Sequence, residues 1–198
     1  MYRLSFIALL VFCSSVAAQP IDSKADMAGR NSRAKAQSHC IADEIPVFTC
    51  KIGKKIASIC ASKVLNENSG YLQYRFGEKH KVELEIPPTE NYKPALVGYK
   101  SATCASCYAN YLRFTSGDFR YYVFNASVRG QNDPKSGAST RHEPSGVVVA
   151  KGDKFIFSRQ CNTPAFDHNF GEHFWGNAVL TLGVNEGIDP FEIALPTE

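Results

Sequence analysis

Beyond its first twenty residues the chain has no long apolar run, so no later segment reads as a membrane-crossing helix. It has no large excess of either charge. The 22 basic and 19 acidic residues leave +3, which is no footprint for nucleic acid, and no run of lysines marks a membrane surface. Helical periodicity with caps is almost missing, and only the stretch from Asp167 to Leu182 reads ambiguously. There is no G-x-S-x-G elbow, no glycine-rich phosphate loop after a strand, and no D-x-D-x-D-G calcium loop. These gaps remove the commonest signatures of nucleophilic, nucleotide and calcium chemistry. The expectation is a chain that is not an enzyme and takes neither cofactor nor metal.

What is present starts at the N-terminus. MYRLSFIALLVFCSSVAAQP has Arg3 in a short basic region, an apolar core over Leu4 to Phe12, and Val16 and Ala18 placed for cleavage. Residues 1–18 therefore read as a secretory signal peptide, and the mature chain as periplasmic or secreted. Residues 19–39 are small and polar and read as a disordered leader. Residues 40–198 are expected to form a single β-domain whose C-terminal segment covers the sheet.

Cleavage removes Arg3, lowering the charge to +2, and Cys13, leaving Cys40, Cys50, Cys60, Cys104, Cys107 and Cys161. An even set in an exported chain points to disulfides, although six cysteines allow 15 pairings. Chain geometry favours Cys50–Cys60 within one hairpin, Cys104–Cys107 as a tight local loop, and Cys40–Cys161 joining the leader to the last strand. That third bridge closes the longest loop and would restrain the unfolded chain by roughly 4–5 kcal/mol.

The body of the chain reads as strands and turns. VFTCKI and KIASICAS flank Gly53-Lys54. YLQYRF and KVELEI flank residues 77–80, and Val82, Leu84 and Ile86 alternate with Glu83 and Glu85, one set buried and one wet. NYLRFTSGDFRYYVFNASVR turns at Ser116-Gly117-Asp118, and its second arm reads as a central strand. Residues 129–144 read as a long polar loop, and SGVVVAKGDKFIFSRQC turns at Lys151-Gly152-Asp153. Four successive hairpins predict an all-β fold, an antiparallel meander of about eight strands forming a disulfide-stapled sandwich or barrel.

Chemistry-bearing motifs have bland readings here. Cys104-Ala-Ser-Cys107 has C-x-x-C spacing, but no βαβ pattern surrounds it and no second pair completes a zinc site, so a structural disulfide is expected. Asp167, His168, Glu172 and His173 are close in sequence and offer metal-ligand types. Their i, i+5 histidine spacing suits no single helix face, so this aromatic tail is expected to pack on the sheet. Glu83 and Glu85 share a strand face and are expected to be solvated. In the strand from Phe119, one face carries Phe119 and Tyr121 and the other Arg120 and Tyr122. If one face is core, the other either presents a tyrosine–arginine surface of the kind enriched at interfaces, or is the second packed face of a sandwich under a covering tail.

Phe48-Thr-Cys50 with its Gly53-Lys54 turn, Cys60-Ala-Ser62, Tyr74-Arg-Phe-Gly77 and Glu83-Leu-Glu-Ile-Pro87 resemble a group of small exported bacterial β-sandwich proteins, over roughly Val47 to Cys161. More loosely, the chain is similar to periplasmic lysozyme inhibitors, secreted β-proteins that place an S-G-x-x-Y-type loop in the lysozyme cleft. Here Ser116-Gly117-Asp118-Phe119 has phenylalanine at the tyrosine position, with Tyr121 following, and Ser69-Gly70-Tyr71 is the other partial match. The resemblance implies a non-enzymatic inhibitor or immunity protein with a protein partner, a peptidoglycan hydrolase, and a binding hairpin over Ser116, Gly117, Asp118, Phe119, Arg120, Tyr121 and Tyr122. The alternatives are a carbohydrate- or envelope-binding β-module, and a secreted hydrolase using Asp167–His173.

Overall fold

The structure is a computed structural model that describes residues 37–65, 69–88, 97–162 and 188–194. The expected signal peptide, most of the expected leader and the Asp167–His173 cluster lie outside the described residues.

The described residues form two antiparallel sheets. The first holds β1 (Glu44–Ile52), β2 (Lys55–Ser62), β3 (Leu72–Glu78) and β4 (Lys81–Ile86) in chain order. The second holds β5 (Val97–Cys104), β6 (Cys107–Ser116), β7 (Phe119–Asn132), β8 (Ser139–His142), β9 (Ser145–Lys151) and β10 (Lys154–Gln160). Its order is β10-β9-β7-β6-β5, with β8 pairing only with β7. All four expected hairpins are present, and β7 lies between β6 and β9 as a central strand.

Alternating side chains from both sheets fill the space between them. Phe48, Ile59, Leu72, Tyr74 and Ile86 of the first sheet meet Leu112, Phe114, Val123 and Val147 of the second. Tyr74 stacks at 5.7 Å from Phe114 and 5.8 Å from Tyr121. These are the β-branched and aromatic types that fit a pleated, two-sided core. The outer face of the second sheet is also covered. A short helix, α1 (Pro190–Ala194), buries Ile193 and Ala194 against Ala109, Tyr111, Tyr122, Phe124 and Val148.

Several expectations need correction. Residues 129–144 are not a plain loop: β7 runs on to Asn132 and β8 returns along it. Cys104 and Cys107 sit at the turn of a fifth hairpin, β5–β6, where they are register partners. Val82 is exposed, because Glu83 is an extra residue in β4 between the pairs Phe76↔Leu84 and Gly77↔Val82. Such a bulge shifts the alternation by one and turns Val82 to the wet side.

The disulfides are Cys40–Cys60, Cys50–Cys161 and Cys104–Cys107. Only the last matches the expected pairing. The two-residue turn at Gly53-Lys54 sets Cys50 opposite Ala57, while Cys60 stands opposite Pro46. Cys50 packs in the core with Cys161, whereas Cys60, between the core residues Ile59 and Ala61, faces the other side and the segment carrying Cys40. Two cysteines on opposite faces of a hairpin cannot bridge. Three disulfides mark an oxidising, non-cytoplasmic environment. Among the described residues no helix is long and apolar enough to cross a membrane.

Candidate functional site

Two neighbouring hairpin tips, β6–β7 and β9–β10, form a ledge at one end of the second sheet. Ser116 pairs with Phe119 and Lys151 with Lys154, leaving Gly117-Asp118 and Gly152-Asp153 as two-residue loops. Gly117 has φ +56 and Gly152 φ +58, and among the described residues no non-glycine residue has positive φ. Positive φ at the first loop position alone is what a type II′ turn requires, and glycine is the residue that adopts it without strain.

The tips are tied together. The Gly152 N–H donates to the Asp118 carbonyl at 3.1 Å. Arg120 reaches the Asp153 carboxylate at 3.5 Å. The Lys151 ammonium lies 5.4 Å from the Phe119 ring centroid, and Phe119 is 6.5 Å from Tyr121. The Tyr122 hydroxyl, and then Asp153, hold the Arg120 guanidinium above its ordinary pKa. Burial pushes the Tyr121 hydroxyl up.

Of the expected binding residues, Ser116, Gly117 and Asp118 are exposed at the tip, and Phe119, Arg120 and Tyr121 are half-buried. Tyr122 is fully buried under α1 and belongs to no exposed face. Of the two readings of this face, the structure has the packed layer and not the tyrosine–arginine surface: Tyr111 meets Tyr122 edge to face at 5.2 Å.

A feature unseen in the sequence adjoins the ledge. β10 is an edge strand among the described residues, and it exposes Phe155, Ile156 and Phe157 at 45%, 55% and 36%. The ladder slips between Phe155 and Phe157, so Ile156 is unpaired. Phe155 lies beside Tyr122 at 6.4 Å, and Arg159 covers Phe157 at 5.2 Å. Polar, ordered turns next to an apolar edge with unpaired backbone groups make a surface able to hold an extended or protruding segment of another protein.

The other unusual chemistry is a brace on the outer face of the first sheet. Glu44 is buried and accepts from both terminal nitrogens of Arg75 at 2.7 Å, from the Tyr71 hydroxyl at 2.7 Å and from the Ile41 N–H at 2.7 Å. Burial alone would raise its carboxyl. The hydrogen bonds from Arg75, Tyr71 and Ile41, with the charge of Arg75, outweigh burial and hold it below the ordinary 4.5. Arg75 also donates to the His39 carbonyl at 2.9 Å and lies 3.4 Å from Glu85. Glu85 is therefore drawn into the brace and is not plain solvated surface, while Glu83 pairs with Lys55. The Glu44 carboxylate lies within 4.8 Å of the Cys40 and Cys60 sulfurs. Those sulfurs are bonded to each other and the carboxylate is committed to Arg75, so the trio anchors the segment over the sheet. At the turn end of the same sheet, a cavity of about 570 Å³ is rimmed by Lys51, Lys54 and Lys79.

No family model, no curated protein and no solved structure matches this chain.

Proposed function

We propose that this chain is an exported binding protein that holds a protein partner without transforming it, acting as an inhibitor or immunity protein against a lysozyme-like peptidoglycan hydrolase. The observation that carries this reading is the pair of laced hairpin tips beside the exposed Phe155-Ile156-Phe157 edge. Tips fixed by turn geometry and cross-links lose little ordering entropy on docking. A hydrolase of glycosidic bonds works with two carboxylates in a cleft. A narrow tip offering the Ser116 hydroxyl, flanked by Arg120 and Lys151, is chemically suited to plug such a cleft, while the apolar edge supplies the buried contact area. The signal-peptide-like N-terminus and the three disulfides support the same compartment as the wall.

A glycan-binding module would need exposed aromatic rings for sugars to stack on, and of the tyrosines in the middle strands Tyr74, Tyr111 and Tyr122 are buried while Tyr108 is exposed. The hydrolase reading rests on Asp167–His173, outside the described residues.

The test is lysis of peptidoglycan by lysozyme-type hydrolases in the presence of the mature protein. Near-stoichiometric suppression is expected, weakened about tenfold or more by Asp118→Arg or Ile156→Glu. No suppression by a folded, oxidised protein, with direct pull-down on peptidoglycan alone, would overturn the reading in favour of a glycan binder.

A further inference from the structure

β7 and β8 extend beyond the sandwich as a two-stranded finger. In it Arg129 stands directly opposite Arg141 across the ladder. Like charges directly opposite on paired strands are destabilising. Among the described residues neither guanidinium meets a carboxylate. Each is instead oriented by a hydroxyl. Arg129 Nε donates to Ser139 Oγ at 2.9 Å, and Arg141 Nη1 donates to Ser127 Oγ at 2.7 Å. Ser127 is fully buried, so the second guanidinium is anchored from the body of the sheet.

The two side chains share a concavity of about 320 Å³, lined otherwise by Ser106, Ser139 and Thr140. Among the described residues its wall is guanidinium and hydroxyl with no carboxylate. Asp133, at the end of the finger, lines the adjoining concavity with Arg129. Its carboxylate is already engaged, accepting from the Lys135 N–H at 2.8 Å and the Ser136 hydroxyl at 3.0 Å. Gly130 lets the strands close at this point: a Cβ there would run into Thr140 Oγ1 and stand 2.7 Å from the His142 ring.

We propose that Arg129 and Arg141 form a binding site for a phosphate group. Each guanidinium has five donors in a fixed fork, and each spends one of them on its orienting hydroxyl. A carboxylate is satisfied by a single bidentate arginine. Two arginines with a ring of hydroxyls match the greater charge and the additional oxygens of a phosphate. The anion then removes the repulsion that the opposed pair imposes on the finger.

Inorganic phosphate is the minimal probe, with acetate as the carboxylate control. The oxidised mature protein is titrated with each while the arginine Nε–H resonances and the unfolding temperature are followed. Phosphate is expected to bind at least about tenfold tighter than acetate, to shift the Arg129 and Arg141 signals, and to raise the unfolding temperature. Arg129→Gln and Arg141→Gln should each weaken phosphate about tenfold or more. In phosphate-free buffer Arg129→Gln, whose hydroxyl partner Ser139 is exposed, should unfold no lower than the parent, because one of two opposed charges is gone. Glycerol 3-phosphate and phosphatidylglycerol vesicles distinguish a free ester from a lipid headgroup, and arginine-dependent binding of either supports the site. Equal affinity for phosphate and acetate, or phosphate binding unchanged in both variants, would overturn it. These substitutions leave the tip ledge untouched, so hydrolase inhibition should persist in them.

Discussion

Glu44 and Arg75 are the two residues whose removal should be felt most. Both are almost wholly buried, and each satisfies the other. Glu44→Gln leaves the guanidinium with only the half-exposed Glu85 as counter-charge and should destabilise by about 3 kcal/mol in denaturant unfolding. Replacing both, as in Glu44→Leu with Arg75→Met, should be milder than either single change, since no buried charge is then left alone. The pH dependence follows from the lowered Glu44 pKa. A carboxyl whose folded value lies below its unfolded value contributes stability that is complete above the ordinary 4.5 and is lost as pH falls through the folded value. Acid unfolding of the parent should therefore steepen below that range, and Glu44→Gln should flatten it. Urea midpoints measured from neutral pH downward check both. At the ledge, Gly117 sits at φ +56 with open space around it. Gly117→Ala should thus clash with nothing and still cost about 1–2 kcal/mol from backbone strain alone.

Among the elements, hairpins were legible because alternation and Gly-x turns act locally. That Cys50 and Cys60 do not pair with each other was open to a register count that their ten-residue spacing obscures, whereas their partners Cys161 and Cys40 were not. With Gly53-Lys54 as the turn, Cys50 must oppose Ala57, and Cys60 falls on the other face. β5 and β8 were harder to see, because Tyr99-Lys-Ser-Ala and Ser139-Thr-Arg-His have weak alternation and gain their pairing from neighbours. The outward Val82 could not be read at all, since a bulge is a property of two strands together. The exposure of Phe155-Ile156-Phe157 was hidden for the same reason: an apolar strand looks alike at the edge and at the centre. The cross-links should differ in weight. In the chain-entropy model the Cys50–Cys161 bridge, spanning 111 residues, contributes about 4–5 kcal/mol, and the Cys104–Cys107 bridge, spanning 3, about 2. Cys50→Ser with Cys161→Ser should lower the denaturant midpoint more than Cys104→Ser with Cys107→Ser. Equal losses would show that the unfolded chain is already compact in this region.

For the whole molecule, near-neutral net charge concealed how topology gathers cations. Arg129 meets Arg141 only because residues 129–144 fold back as a finger, and Lys51, Lys54 and Lys79 meet only because two turns lie at one end of a sheet. The ledge is of the same kind: Gly152 and Asp118 are far apart in the chain and bonded in the fold. Of the candidate residues, the tip from Ser116 to Asp118 was readable from its turn chemistry. Tyr122 was misplaced because, although a covering C-terminal segment was expected, nothing local announces which strand face it covers. The proposed function asks that one contiguous surface, the two tips and the β10 edge, meets the partner. Amide hydrogen exchange of the oxidised mature protein, alone and saturated with a lysozyme-type hydrolase, measures this most directly. Slowed exchange is expected over residues 116–120 and 151–158 and nowhere on the β7–β8 finger. Unchanged exchange at both tips, with protection appearing elsewhere, would contradict the ledge as the binding surface.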